Sequence, residues 1–264
     1  MRFKRPERVA SEIAYWVSKG YDEFFIGDAN SIANGRALLK VFKQIEKMGL
    51  HIKVNLAGRP NDILRYYKEL EEMFKIDCIS VRKIEIGIEA NTQRMLDLLG
   101  RGTTPEINIR AIDALVEIKE RYSPNTELHL NIILFPHFDM EIEDFIANVE
   151  FIGRYREYTK NSIGARLFGV AGTPVWKEMV ERGFKPEKHM GWRILEYKFS
   201  DPQVERLFTK LVRRYVAKMI LQGKANAINL SHYLHSVAIR LYDSGNIWGA
   251  VMGMVFDGTE KACV

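Results

Sequence analysis

Residues 83–89 (KIEIGIE) decide the fold that the sequence predicts. Side chains in a β-strand alternate between its two faces, so the three isoleucines share one face while Glu85 and Glu89 share the other. The pattern predicts a strand whose apolar face packs against helices. Its opposite face then carries charged groups.

The same alternation recurs in other short apolar runs, and helix-forming patterns separate them. The other predicted strands are residues 24–28, 52–56, 128–134 and 163–170. Strands that alternate with helices are typical of a parallel α/β fold. We therefore predict a partial (βα) TIM-type barrel with parallel strands over residues 1–184. A helical C-terminal extension is predicted over residues 185–264, with helices near 204–219 and 230–241.

Polar side chains gather on the predicted inner face of this barrel, which a closed barrel would fill with branched apolar side chains. They are Lys53, Asn55, Glu85, Glu89, His129, Asn131 and Arg166. An unpaired buried charge costs on the order of several kcal/mol, so either an ion-pair network or a bound polar ligand must satisfy the set. For the whole set we favour a ligand. Glu89 is the strongest candidate, because sites of parallel α/β folds form at the C-terminal ends of strands.

The composition narrows the function classes. With 264 residues, of which 47% are hydrophobic, the chain is long enough to bury a full core. The 39 Lys and Arg residues exceed the 34 Asp and Glu residues only slightly and are scattered, a pattern that does not favour nucleic-acid binding. Two cysteines exclude a disulfide framework, and no apolar run approaches the roughly 20 residues of a membrane span. We expect a cytoplasmic protein that does not enter the membrane.

Several strings along the chain, in order, carry a family resemblance. They are residues 5–9, 24–30, 59–62, 86–96 with 100–103, 132–136 with Glu141, and 172–174. As an ordered set over about residues 5–184, they resemble the radical S-adenosylmethionine (SAM) superfamily, especially its cobalamin-dependent branch. The resemblance implies that the predicted strands correspond to strands two to six of that family's six-stranded barrel.

The resemblance also implies which residues bind SAM. Gly27 and Asp28 would face its methionine end, Glu89 would lie near its ribose, and the backbone around Leu134 and Val170 would meet the adenine. Three polar residues of the inner face complete the predicted cofactor-binding set: Asn55, Asn131 and Arg166. Asp28 also fits a simpler role as a helix cap.

The sequence departs from the family where the family holds its iron–sulfur cluster. That cluster needs three thiolates spaced CxxxCxxC, whereas Cys78 and Cys263 are the two cysteines here, so we predict no metal site. We expect the SAM-binding body of a radical SAM enzyme, inactive alone, whose 4Fe-4S segment is lost, split off or supplied by another subunit. Cobalamin is possible in the parent family, but we predict no cobalamin-binding domain in this chain.

Two alternatives stay open at the level of sequence. One is a degenerate, non-catalytic barrel that binds a partner protein or a nucleoside. The other is an unrelated α/β lyase or aldolase that uses Lys53 or Glu85 on a small-molecule substrate.

The predicted strand 24–28 lacks its expected neighbour, because the chain opens at the helix before it. An unpaired strand edge invites pairing, so we expect a partner protein, the tail or an upstream segment to cover it.

Overall fold

The computed structural model describes residues 4–26, 30–159, 163–167, 169–184, 186–189, 192–195 and 197–221. The chain divides into two compact units, unit 1 (Met1–Ile88 and Thr103–Asn131) and unit 2 (Glu89–Gly102 and Ile132–Val264). The described strands are β1 (Glu23–Phe25), β2 (Ile52–Gly58), β3 (Ile79–Glu89), β4 (Glu127–Phe135), β5 (Ile163–Arg166), β6 (Gly169–Val170), β7 (Pro186–His189) and β8 (Trp192–Leu195). The described α-helices are α1 (Pro6–Val17), α2 (Gly35–Lys47), α3 (Pro60–Arg65), α4 (Tyr67–Phe74), α5 (Gln93–Leu98), α6 (Pro105–Tyr122), α7 (Ile142–Arg154), α8 (Arg156–Thr159), α9 (Pro174–Glu181) and α10 (Pro202–Leu221).

The main sheet has the strand order β1-β2-β3-β4-β5. Its described registers are parallel: Phe24 lies opposite Val54, Val54 opposite Val81, and Ile132 opposite Ile163. Helices lie between successive strands along the chain, so the predicted parallel α/β fold is confirmed.

Unit 1 buries the apolar face of its strands, as the alternation predicts. Ile84, Ile86 and Ile88 are fully buried, whereas Glu85 and Gly87 are half-buried on the opposite face. The helices of this unit pack in pairs, α1 against α2, α2 against α4, and α3 against α6. The opposite face of the sheet therefore carries the charged and polar side chains.

Unit 2 is built around an aromatic core. Phe135 at the end of β4 lies 5.2 Å from Phe145 of α7, 5.4 Å from Phe199 and 5.2 Å from Phe208 of α10, measured between ring centroids. Phe138 and Tyr197 extend the same cluster. Tyr197, Phe199 and Phe208 thus form part of this core.

The second half of the chain differs from the sequence prediction. The predicted strand 163–170 is divided into β5 and β6, and β6 belongs to a separate antiparallel sheet of order β6-β8-β7. β7 and β8 fall where helical structure was expected, because four-residue strands show no readable period and depend on their pairing partners. The helix predicted near 204–219 is confirmed by α10, and the one near 230–241 lies outside the described residues.

Gly35 at the start of α2 provides a test of the packing in unit 1. A Cβ at this position would lie 2.6 Å from Tyr66 Cβ, too close for either residue to keep its place. We predict that Gly35→Ala lowers the free energy of unfolding by about 1–3 kcal/mol, measured by urea denaturation. Lys40→Ala on the exposed face of the same helix is the control. Equal stability of the two variants would contradict the close packing.

Candidate functional site

The charged residues on the polar face of unit 1 are paired. Lys83 Nζ lies 2.6 Å from Glu85 Oε1, and both side chains are partly exposed. Asn55 Nδ2 donates to Glu23 Oε1 at 2.9 Å, and Lys53 Nζ lies 2.7 Å from Asp22 Oδ2. These individual polar residues therefore satisfy one another through ion pairs and a hydrogen bond, without a ligand.

Strand β3 ends at Glu89, which has an unusual backbone. Its φ of +66° lies in the left-handed region, and no other non-glycine residue in the described ranges has a positive φ. This conformation costs a residue with a Cβ on the order of 1–2 kcal/mol and is typical of functional sites. The carboxylate is partly exposed, with Oε1 3.3 Å from Arg101 Nη2. Glu89 thus combines a strained backbone with an accessible charge at the C-terminal end of a parallel strand.

Asn148 of α7 links the segment after β3 to the end of β4. Its Oδ1 accepts a hydrogen bond from the backbone N–H of Asn91 at 2.9 Å. Its Nδ2 donates to the carbonyl oxygens of Ile133 at 3.2 Å and Leu134 at 3.3 Å. Asn91 Nδ2 returns a hydrogen bond to the carbonyl oxygen of Ala147 at 3.2 Å. One side chain therefore fixes both strand ends.

A second polar network lies next to this link. Asp144 of α7 is buried, accepts a hydrogen bond from Thr92 Oγ1 at 2.6 Å, and forms an ion pair with Arg94. Arg94 Nη1 also donates to the carbonyl oxygen of Asp139 at 2.9 Å. Together with Glu141, Asp144 forms the capping box at the start of α7. The segments that follow β3 and β4 are thus bound to each other through α7.

Arg166 at the end of β5 lies beneath aromatic side chains. It is 7% exposed, and its guanidinium carbon is 5.1 Å from the ring centroid of Tyr197 and 5.4 Å from that of Phe208. The Tyr197 hydroxyl donates to the carbonyl oxygen of Leu167 at 3.0 Å, and burial raises the pKa of this phenol. The guanidinium is therefore packed against rings rather than open to solvent.

Solved structures with this fold include three of a cobalamin-dependent SAM radical enzyme, OxsB. The structure with aqua-cobalamin matches 90% of this chain at 14% identity with a TM-score of 0.63. The structure with aqua-cobalamin and SAM matches 90% at 16% identity with a TM-score of 0.62, and the apo structure 91% at 14% identity with a TM-score of 0.64. The chain has the fold of this part of OxsB.

The match covers a minority of the neighbouring protein. The chain spans 41–42% of the length of the OxsB chains. No protein-family model and no curated protein sequence matches it. The comparison therefore shows a fold shared with part of OxsB and leaves the activity to be argued from the residues.

The sequence-predicted site residues fall in both units. Asn55 of β2 and Asn131 of β4 are half-buried in unit 1. Four others lie in unit 2: Glu89, Leu134, Arg166 and Val170. The backbone of Val170 in β6 pairs with Ile194 of β8. Gly27 and Asp28 lie outside the described residues.

Sequence reasoning missed Asn91 and Asn148, which hold the strand ends. The available signal was a polar residue inside the apolar stripe of α7, between Phe145 and Ile152. An asparagine in that position has no helix-forming advantage, and burial without a partner would be costly. The type of partner could not be read from the sequence.

Unit 1 contains a groove beside the terminal strand of the main sheet. A cavity of about 510 Å³ lies between α1, β1 and α2. Its apolar lining includes Val9, Ile13, Trp16, Phe24, Leu38 and Val41. Phe25 and Trp16 are 56% and 49% exposed, and β1 is the first strand in the sheet order. The edge and the groove together form an apolar surface.

Two absences can be stated for the described parts of the chain. There, no group of three His, Cys, Asp or Glu side chains is arranged to hold a metal ion. None of the helices in the same ranges is both long and apolar enough to cross a bilayer.

His137 is fully buried after β4 and forms a charged cluster with α9. Its Nδ1 accepts a hydrogen bond from the Asp139 N–H at 3.1 Å, so the proton of the neutral ring sits on Nε2, 3.8 Å from Glu178 Oε2. Asp139 in turn accepts two hydrogen bonds from Arg182, at 2.8 and 2.6 Å, and one from Ser200 at 2.6 Å. Desolvation lowers the pKa of His137 below its ordinary 6.5, although Glu178 and Asp139 oppose the shift.

This lowered pKa predicts acid sensitivity. Below about pH 6.5 the unfolded chain binds a proton at His137 that the folded chain does not, so stability falls with pH until the folded pKa is reached. We expect His137→Asn to reduce the loss of unfolding free energy between about pH 7.5 and about pH 5, by up to about 1.4 kcal/mol per pH unit. Urea denaturation at both pH values measures it. His51→Asn, at an exposed position, is the control for the substitution itself, and an unchanged slope in His137→Asn would refute the assignment.

Proposed function

We propose that this chain is the SAM-binding body of a radical SAM enzyme whose cluster-bearing cysteines come from another segment or subunit. The observation that carries the proposal is Glu89, an accessible carboxylate held in a left-handed backbone at the end of β3, within a fold shared with OxsB. Ligands of parallel α/β folds bind at the C-terminal ends of strands. We propose that the nucleoside half of SAM binds at this end of β3 and β4.

The residues of unit 2 fit a nucleoside. The Glu89 carboxylate would accept hydrogen bonds from ribose hydroxyls, and Arg101 at 3.3 Å would help to orient it. The backbone around Leu134, at the end of β4, would meet the adenine. The remaining predicted contacts stay predictions from the sequence: Gly27, Asp28, Asn55, Asn131, Arg166 and Val170. When bound to a reduced cluster, SAM supplies a carbon-centred radical by reductive cleavage.

The cluster itself does not fit this chain. Three thiolates are required, and the whole sequence contains Cys78 and Cys263 alone. Cys78 is half-buried, and desolvation raises the pKa of its thiol, which opposes the thiolate form that binds iron. Radical chemistry therefore requires cysteines from another segment or subunit, and we propose a cytoplasmic, reducing setting for it. The use of cobalamin in that chemistry is also a proposal, from the family resemblance.

We propose that the missing segment joins at β1. It would add an extended strand to the edge of β1, with alternate apolar side chains in the groove between α1 and α2. The exposed rings of Trp16 and Phe25 favour burial by another polypeptide segment.

Isothermal titration of the chain with SAM tests the binding proposal. We expect saturable binding that Glu89→Gln weakens about tenfold, because a neutral amide accepts hydrogen bonds from hydroxyls less strongly than a carboxylate. Glu143→Gln, an exposed position in the first turn of α7, is the matched control and should bind normally. An absence of SAM binding in the unaltered chain would overturn the proposal.

Anaerobic reconstitution with iron and sulfide tests the assignment of the cluster. We expect the isolated chain to form no stable, stoichiometric 4Fe-4S cluster, measured by iron content and visible absorbance. Addition of a polypeptide with a CxxxCxxC motif that binds the chain, with dithionite as the electron donor, should give both the cluster and SAM cleavage. A stable cluster in the isolated chain would contradict the assignment.

A second candidate function is a non-catalytic subunit that binds a nucleoside or a partner protein, favoured by a sequence with two cysteines, too few to hold the cluster. Retained SAM affinity without cleavage in the reconstituted complex would select it. The lyase alternative receives less support, because Lys53 is 45% exposed and ion-paired with Asp22 rather than desolvated.

A further inference from the structure

We infer that Asn148 is a positioning residue that sets the nucleoside site by fixing the segment after β3 to the end of β4. The inference rests on the proposed function, because the ligand that it serves is the nucleoside half of SAM. Asn148 itself is fully buried and touches the site through two backbone segments. Its effect on affinity is therefore indirect.

The hydrogen bonds of Asn148 determine the orientation of its amide. Oδ1 must face the N–H of Asn91, since an amide nitrogen has no lone pair to accept it. Both hydrogens of Nδ2 are directed at carbonyl oxygens, those of Ile133 and Leu134. The side chain thus uses one acceptor and both donors at once. No other side chain of this length provides that combination.

The hydrogen bonds of Asn148 act on Glu89 through the two peptide units that separate Glu89 from Asn91. Asn91 is two residues beyond the left-handed backbone of Glu89, which would relax at little cost if the following segment were free. The bond from Asn148 to the Asn91 N–H, and the bond from Asn91 Nδ2 to Ala147, hold that segment against α7. The direction of the Glu89 carboxylate therefore depends on Asn148.

The same residue acts on the adenine side. The carbonyl of Leu134 is held by Asn148 Nδ2 at 3.3 Å, within the part of β4 that the adenine would meet. A change at Asn148 displaces the ribose contact and the adenine contact together. We therefore expect it to weaken adenosine and SAM by the same factor, because the methionine end is not involved.

Two substitutions at Asn148 remove different subsets of its hydrogen bonds. Asn148→Asp keeps an acceptor for the Asn91 N–H and removes at least one of the two donors to β4, because a carboxyl group has at most one O–H, whereas Asn148→Leu removes all three bonds. The matched control is Asn108→Leu, a fully buried asparagine on α6 in unit 1 that bonds Thr103. Each variant removes a buried side-chain amide, but only the two Asn148 variants change contacts at the strand ends.

Calorimetric titration with SAM and with adenosine, below the melting temperature of every variant, measures the effect. We expect the dissociation constant to rise about tenfold or more in Asn148→Leu, less in Asn148→Asp, and less than about twofold in Asn108→Leu at a similar loss of thermal stability. Amide hydrogen exchange should show lost protection at Asn91 in Asn148→Leu. If Asn148→Leu does not fold, Asn148→Asp alone decides, by the same comparison with the control.

Failure of the proposed function and failure of the inference about Asn148 give different results. If the unaltered chain binds neither SAM nor adenosine, the proposed function fails. If it binds both, and the Asn148 variants weaken binding no more than Asn108→Leu does, the inference about Asn148 fails while the proposed function stands.

Discussion

The left-handed backbone of Glu89 is the constraint on which the strand-end site depends. A residue with a Cβ adopts this conformation only when its surroundings hold it there. The holding contacts come from α7, where Asn148 bonds Asn91 and buried Asp144 bonds Thr92 and Arg94. Strand β3 thus sets the position of the Glu89 carboxylate, and the contacts from α7 set the direction in which it points.

The regular part of the fold could be predicted because its signals are local. The period-two pattern of 83–89 identified a strand with one buried face, and the buried isoleucines of β3 confirm it. The antiparallel sheet of β6, β7 and β8 could not be predicted, because its strands have two to four residues. Such strands are defined by the partner across the sheet, which the sequence does not name.

The residues of the candidate site were likewise predictable only in part from the sequence. Glu89 followed from its position at a strand end, and no pattern indicated its positive φ. Arg166 was placed on the polar face, but its aromatic cover comes from residues more than thirty positions later, Tyr197 and Phe208. Asn148 could not be assigned, because a buried asparagine is defined by partners in two distant backbone segments. Long-range polar contacts are thus the part that the sequence leaves open.

A crystal structure of the chain with SAM or its demethylated analogue tests the central claim most directly. We predict that the ribose lies against the Glu89 carboxylate and the adenine against the backbone around Leu134, with the hydrogen bonds of Asn148 intact. A nucleoside bound elsewhere on the chain, or a Glu89 carboxylate turned away from the ribose, would contradict it.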